Sequence, residues 1–312
     1  MKTEVFDFYN STSIKSYNLD ETIRYQLKML DGLDAYTRRH SDNVANITCR
    51  LCEKLKLSKG FTVYCTTCAY LHDIGKIFIP PSVLQKPGKL TEEEYEVMKT
   101  HTSIGYKICM NDLKLRPYAA GTLYHHESLD GSGYPHKLQE KDIPYEAQII
   151  RVADEFDALV NKRQYKSHIG VVDTLKFLIS ECYPMKDSES DNIVVKDSSV
   201  GKVNPIIVKA LIKVIIDDTE YEISCIMDYL KDLKKDIKRL KEIEKYDKKR
   251  LSSKDEKKQN YYLEGMKSLL VNVETIDNYN EVLASYTSIF KNKSEQIDRL
   301  FEEIKYMKKL KF

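Results

Sequence analysis

The sequence predicts an all-α protein in which a helical bundle is followed by a C-terminal helical hairpin of coiled-coil character. Apolar residues recur at intervals of three and four over most of the chain, which is typical of amphipathic helices. No stretch of four or more residues alternates convincingly between apolar and polar, so we expect no β-strand. We expect an N-terminal segment at 1–18, a main domain at 19–225 and the hairpin at 226–312.

The first predicted helices lead to the first candidate site. A helix is expected at 20–33, where an aspartate is placed to cap it and leucines recur at helical spacing. A second helix is expected at 36–57, with His40 at the edge of its apolar face. After a break at 58–60, the pattern at 61–72 predicts a buried helix that ends at a histidine.

The next predicted helices carry further histidines. The capping-box pattern TEEE predicts the start of a helix that includes His101. Residues 116–127 predict a helix that reaches the adjacent pair His125 and His126. The segment DGSGYP at 130–135 predicts a tight turn, because its glycines accept backbone conformations that other residues avoid.

The last part of the main domain is also helical in pattern. The strongly apolar segment 147–159 predicts a helix interrupted by Asp154, and 171–180 predicts another. Residues 186–202 are rich in serine, aspartate and lysine, which indicates a mobile surface loop before a helix restarts at Pro205.

The C-terminal hairpin is predicted from its charge and apolar pattern. Between Ile226 and Ile243, apolar residues follow a near-heptad spacing among many lysines and glutamates, as in a coiled-coil seam. Residues 252–260 predict the turn, and 263–304 predict a return helix. The seam either closes on itself or makes a homodimer or a contact with a partner protein.

Composition excludes several classes of function. The 50 lysines and arginines nearly cancel the 48 aspartates and glutamates, so the net charge of +2 does not predict binding to DNA or RNA polymers. No basic segment precedes an apolar core at the start, and no run of eighteen apolar residues occurs, so we expect neither a signal peptide nor a membrane span. We therefore expect a cytoplasmic protein whose seven cysteines are reduced thiols.

The segment LHDIGKIFIP, from Leu71 to Pro80, carries the strongest chemical signal. His72 and Asp73 place an imidazole beside a carboxylate, and both are ordinary ligands for divalent metal ions. Lys76 follows three residues later and is placed to attract an anion. The five histidines and two aspartates that make a candidate ligand set are His40, His72, His101, His125, His126, Asp73 and Asp154.

Two cysteine pairs imitate a different metal site. The spacing of Cys49 with Cys52, and of Cys65 with Cys68, is that of a four-cysteine zinc site. Both pairs fall in predicted helices among apolar neighbours, where small thiols pack well. Packing in the core is therefore the favoured interpretation.

Five motifs in order make the sequence resemble the HD-GYP family of cyclic di-GMP phosphodiesterases, a branch of the HD metal-dependent phosphohydrolases. The resemblance covers about residues 27–217. It is carried by DAYTRRHSDNVA at 34–45, LHDIGKIFIPPSVLQKPGKLT at 71–91, HTSIG at 101–105, HHESLDGSGYP at 125–135 and IIRVADEFDALVNKRQYK at 149–166.

The resemblance implies a helical bundle with two divalent metal ions, iron or manganese first and zinc as a further option. It implies that His40, His72 and Asp154 hold one ion, that His101, His125 and His126 hold the other, and that Asp73 bridges both. A hydroxide shared by the ions would attack the phosphorus. The residues that the resemblance places at the substrate are Lys76, Tyr134, Arg163 and Lys166.

Two departures from the family pattern bear on product and specificity. Family members with a third metal have a glutamate one helical turn before the first histidine, where this chain has Tyr36. We therefore expect two ions and pGpG as the main product. Ser128 and Leu129 replace an arginine and a larger aromatic, which affects the shape of the turn and nucleotide preference.

Two alternatives to a cyclic di-GMP phosphodiesterase stay open. One is a phosphodiesterase for another cyclic dinucleotide, and the other is a receptor or scaffold with slow turnover.

Overall fold

The computed structural model describes residues 35–161, 170–184, 200–270 and 278–312, with side chains from residue 37 onward. The predicted all-α class is confirmed, because these residues form ten α-helices and no strand; one isolated bridge joins Asp130 and Gln139. The helix predicted at 20–33 and most of the loop predicted at 186–202 lie outside the described residues. No helix in these four ranges has a stretch both long and apolar enough to cross a bilayer.

The helices are numbered in chain order. They are α1 (Ala35–Lys54), α2 (Lys59–Leu71), α3 (Pro81–Leu84), α4 (Glu92–Asn111), α5 (Ala119–Tyr124), α6 (Tyr145–Val160), α7 (Val171–Ser180), α8 (Pro205–Ser252), α9 (Glu256–Leu269) and α10 (Tyr279–Met307). Short 3-10 turns occur at Ile74–Phe78, Arg116–Tyr118 and Glu140–Asp142.

The chain divides into two compact units, one running to Ile216 together with Leu310–Phe312, and one at Asp217–Lys309. The predicted division at 225 and 226 stays a prediction. In the first unit α1 packs against α2 and α6, and α4 packs against α5 and the first 3-10 turn. The apolar face predicted for α1 is buried, and it includes Val44 and Leu51.

Local sequence signals set the ends of two helices that lead into the site. Ser58 caps α2, since its side chain accepts a hydrogen bond from the backbone of Phe61 at 3.2 Å. Thr91 and Glu94 form the predicted capping box at the start of α4. These caps fix where α2 and α4 begin, and so which residues reach the site farther along each helix.

Gly75 allows two backbones to meet. A Cβ at this position would lie 1.9 Å from the carbonyl oxygen of His101 and 2.6 Å from the amide nitrogen of Gly105. Only glycine fits such a contact without a shift of α4. The contact holds Asp73, two residues earlier, beside the middle of α4.

The second unit is built on the predicted apolar seam of α8. Ile226, Leu230 and Leu233 are buried among apolar side chains of α10. Farther along α8, Leu240 and Ile243 form a second cluster with Met266 of α9. The return segment consists of α9 and α10, so the prediction of one return helix is wrong; residues 271–277, which separate the two helices, lie outside the described part.

Replacement of Gly75 by alanine tests the contact with α4. Gly75→Ala should lower the free energy of unfolding by about 2 kcal/mol or more, because the new Cβ meets backbone atoms that cannot rotate away. Gly60→Ala is the control, since its Cβ meets nothing within 4 Å at a position inside α2. Urea unfolding of both variants measures the difference, and equal stability would contradict the assignment.

Candidate metal centre

All seven predicted ligands lie close together in the first unit. They come from different parts of the fold: His40 from α1, His72 and Asp73 from the end of α2, His101 from α4, His125 and His126 from the end of α5, and Asp154 from α6. Most of these side chains are buried, and His72 and His125 have no exposed surface. The fold thus converts a ligand set scattered over the sequence into one cluster.

The first group surrounds one oxygen of Asp73. His40 Nε2 lies 3.0 Å from Asp154 Oδ1 and 3.7 Å from Asp73 Oδ2. His72 Nε2 lies 3.3 Å from the same Asp73 oxygen and 3.9 Å from Asp154 Oδ1. Two imidazole nitrogens and two carboxylate oxygens therefore face a common point.

The second group surrounds the other oxygen of Asp73. His101 Nε2 lies 3.4 Å from Asp73 Oδ1, and His125 Nε2 lies 4.0 Å from it. The ligand atoms of His101, His125 and His126 lie within 4.8 Å of one another. Since Oδ2 faces one group and Oδ1 the other, Asp73 has the geometry of a bridging ligand.

Backbone carbonyls determine the tautomer of three of the rings. The Nδ1 atoms of His72, His101 and His125 lie 2.6, 2.6 and 3.0 Å from the carbonyl oxygen three residues earlier in the chain. A carbonyl only accepts, so Nδ1 carries the proton and Nε2 presents a lone pair when the ring is neutral. The Nε2 atoms of His101 and His125 are 3.2 Å apart and would repel each other unless a cation lay between them.

Buried atoms without partners support a metal at this place. Within the described residues, neither His72 Nε2 nor Asp73 Oδ1 has a hydrogen-bond partner, although both are buried. Leaving such atoms unsatisfied costs about 1–3 kcal/mol each, and a divalent ion would satisfy both. The residues present therefore fit the metals that the sequence implies, and mixed imidazole and carboxylate ligands suit iron, manganese or zinc.

The electrostatic environment keeps the second group ready to bind. Burial lowers the pKa of His101 to about 4 and holds the pKa of His125 and His126 well below the usual range. These rings are neutral at pH 7, so they need not lose a proton to a metal. Burial opposes ionisation of Asp73, but the His72 ring and the Lys76 ammonium keep the pKa of this carboxyl well below its usual range.

His40 differs from the other rings because its second nitrogen meets a carboxylate. Burial would lower the pKa of His40, but hydrogen bonds with Asp154 and Asp157 raise it to about 10. His40 Nδ1 lies 2.7 Å from Asp157 Oδ2, and the other oxygen of Asp157 accepts from Asn43 and Asn161 at 2.9 and 2.7 Å. A carboxylate behind a ligand histidine fixes the ring and strengthens it as a donor to metal.

Sequence reasoning missed Asp157. The spacing of Asp154 and Asp157 could have indicated it, because residues three apart on a helix share a face and Asp154 was already a predicted ligand. The sequence could not show that the partner of this second aspartate is a ring from α1, 117 positions away. Asp157 therefore belongs to the site as the residue that holds His40.

The predicted substrate residues are only partly within the described chain. Lys76 donates a hydrogen bond to Asp73 and lines a cavity of about 600 Å³ beside the metal ligands. Tyr134 also lines this cavity, and its ring stacks on His126 with 4.7 Å between centroids. Arg163 and Lys166 lie outside the described residues, as does the side chain of Tyr36.

The loop that carries Tyr134 is fixed by a buried glutamate. Glu127 accepts hydrogen bonds from the backbone amides of His136 and Leu138 at 2.6 and 2.9 Å. Gly131 has the predicted positive φ, at +77°. The turn is therefore held in a defined conformation where it lines the cavity.

The cysteine pairs remain core residues. Cys49, Cys52, Cys65 and Cys68 are free and buried. In the part of the chain that the structure describes, no group of three or more close metal-ligand side chains includes a cysteine. The structure thus supports packing rather than zinc binding for these thiols.

Comparison with known proteins identifies relatives of this chain. The HD domain family matches residues 24–182. A cyclic di-GMP phosphodiesterase of Thermotoga maritima is 39% identical over 189 residues, which cover 54% of this chain and 51% of that protein. A cyclic di-GMP phosphodiesterase response regulator of Xanthomonas campestris pv. campestris is 39% identical over 163 residues, with coverages of 52% and 43%.

A relative named for another substrate is also similar. The 3'3'-cGAMP-specific phosphodiesterase 3 of Vibrio cholerae is 32% identical over 162 residues, which cover 52% of this chain and 35% of that protein. The chain thus spans about half the length, or less, of these curated relatives.

Replacement of Asp157 by asparagine tests its support of His40. Asp157→Asn should weaken metal binding about 10–100-fold, because the ring loses a charged partner while the shape is kept. Asp173→Asn, at an exposed position of α7, is the matched control. Competition with a chelator, followed by metal analysis of anaerobic protein, measures the affinity; equal affinities in the two variants would contradict this role.

Proposed function

The chain belongs to the HD domain family, and on that premise we propose that it is a metal-dependent phosphodiesterase that hydrolyses cyclic di-GMP. The observation that carries the proposal is the position of Asp73. Its two oxygens face separate groups of buried ligands. Four of these ligands, His40, His101, His126 and Asp154, line a cavity large enough for a nucleotide ligand.

We propose two divalent ions per chain, iron or manganese first and zinc as a further option. One would be held by His40, His72 and Asp154, the other by the three remaining histidines, with Asp73 between them. Ions so placed lower the pKa of water and neutralise charge on a phosphoryl group. The two oxygens of Asp73, which face different histidines, and the unsatisfied buried atoms support this number.

The chain's own residues would position the substrate. Lys76 would turn from Asp73 to a phosphate oxygen once a metal ion binds the carboxylate. The Asp73 oxygen that accepts from Lys76 would then be bound to the metal, and it is a poorer acceptor for the ammonium group. Tyr134 would meet a base with the part of its ring that His126 leaves uncovered, beside Tyr95 and Lys99. We propose Arg163 and Lys166 as further phosphate contacts, following the family positions.

The proposed main product is pGpG. A second cleavage to GMP is associated in the family with a third metal, and Tyr36 replaces the glutamate that would hold it. A phosphodiesterase for cyclic GMP-AMP is the second candidate, favoured by the Vibrio cholerae relative. The slow receptor stays an alternative, although seven intact ligands favour an enzyme.

Two further expectations stay predictions. The C-terminal helical hairpin, residues 226–312, is the part of the chain proposed to form a homodimer or to contact a partner protein. The cytoplasm is the proposed location.

Loss of the shared carboxylate tests the enzyme assignment. Asp73→Ala should remove metal from both groups and abolish turnover of cyclic di-GMP, because each of the two Asp73 oxygens faces one of the groups. Asp232→Ala, at an exposed position of α8, should retain full metal content and rate. Metal analysis and product chromatography are run on the same samples; full activity in the Asp73 variant would defeat the assignment.

Product analysis tests the two-metal expectation. With cyclic di-GMP in excess, pGpG should accumulate and GMP should form slowly or not at all. Parallel reactions with 3'3'-cyclic GMP-AMP compare the two substrate assignments through kcat/KM. GMP as the main product from the first turnovers would contradict the argument from Tyr36.

A further inference from the structure

Two charged side chains on α6 line the cavity without belonging to the ligand set. Arg151 and Glu155 are four residues apart and so lie on one face of the helix. Both line the cavity that four of the predicted metal ligands also line, and their side chains are 17% and 24% exposed. They are therefore placed to touch whatever occupies the cavity beside the metals.

The two side chains do not hydrogen-bond to each other. Arg151 Nη2 lies 3.9 Å from Glu155 Oε2, which is too long for a hydrogen bond. Arg151 Nη1 donates instead to the carbonyl oxygen of His126 at 3.3 Å, which anchors the guanidinium at the wall. Among the described residues, Arg151 Nε and Glu155 Oε2 are buried atoms without a hydrogen-bond partner.

These two atoms have almost no accessible surface, so the side chains must turn toward the cavity before a ligand can bond them; a ligand that supplies the missing partners favours that turn. A phosphate suits Glu155 poorly, because both are anionic. A carboxylate with two acceptor oxygens is best matched by two neighbouring N–H donors. Guanine presents such donors at N1 and N2 along one edge, whereas adenine presents a single exocyclic amino group there.

We propose that Glu155, oriented by Arg151, reads the base edge of the substrate and makes the cavity prefer guanine to adenine. This inference rests on the proposed function, since it names the base that the cyclic dinucleotide places in this part of the cavity. Arg151 is a positioning residue that keeps the carboxylate extended and contributes a donor toward the guanine O6.

The experiment compares binding and turnover of two cyclic dinucleotides. The metal-loaded protein is titrated with hydrolysis-resistant phosphorothioate analogues of cyclic di-GMP and cyclic di-AMP, and kcat/KM is measured on the natural compounds. Glu155→Gln should lower the preference for guanine about tenfold or more, in both the Kd ratio and the kcat/KM ratio. Tighter binding of the adenine compound is expected as well, because glutamine pairs with adenine.

Two further variants make the test specific. Arg151→Lys keeps the positive charge but loses the fork that anchors to His126, so its ratio should shift in the same direction by a smaller factor. Glu53→Gln, at an exposed position of α1, should keep the ratio of the unchanged protein. A role limited to stability would change both compounds equally and leave the ratios constant.

The outcomes separate the two proposals. An unchanged ratio in Glu155→Gln, with turnover intact, overturns base reading and leaves the phosphodiesterase assignment standing. A shifted Kd ratio without turnover of any cyclic dinucleotide supports base reading and rejects the enzyme. No preference for guanine in the unchanged protein overturns the inference directly.

Discussion

The structure of the first unit depends on one buried carboxylate that faces two groups of ligands. Asp73 is held at this point because the backbone at Gly75 touches the backbone at His101. A larger residue at position 75 would separate α4 from the end of α2 and move the two groups of ligands apart. The fold, the close contact and the site therefore share a single geometric requirement.

The buried rings also show how a cluster of like groups is tolerated. Five imidazoles in one place would repel strongly if they were protonated, and burial keeps three of them neutral by lowering their pKa. His40 is the exception, since two carboxylates raise its pKa. The cluster thus combines neutral donors with a few ionised groups, which is the combination that divalent cations require.

Much of this arrangement could be predicted from residues near one another in sequence. Helical spacing, the capping box at Thr91 and the ordered motifs gave the fold class and the candidate ligand set. The contacts of Asp157 with His40, and the unsatisfied atoms of Arg151 and Glu155, could not be predicted, because they arise between elements or depend on side-chain direction. The break between α9 and α10 was missed because the apolar spacing continues across it.

The groups that orient the histidine rings influence how such a protein can evolve. Three ligand rings are held by carbonyl groups of the main chain, which remain when side chains are exchanged. The wall formed by Arg151 and Glu155 consists of side chains alone, so a single codon change alters it. On the proposed role of Glu155, mutation can therefore redirect the choice of base while the end of the cavity with the carbonyl-held rings is inherited intact.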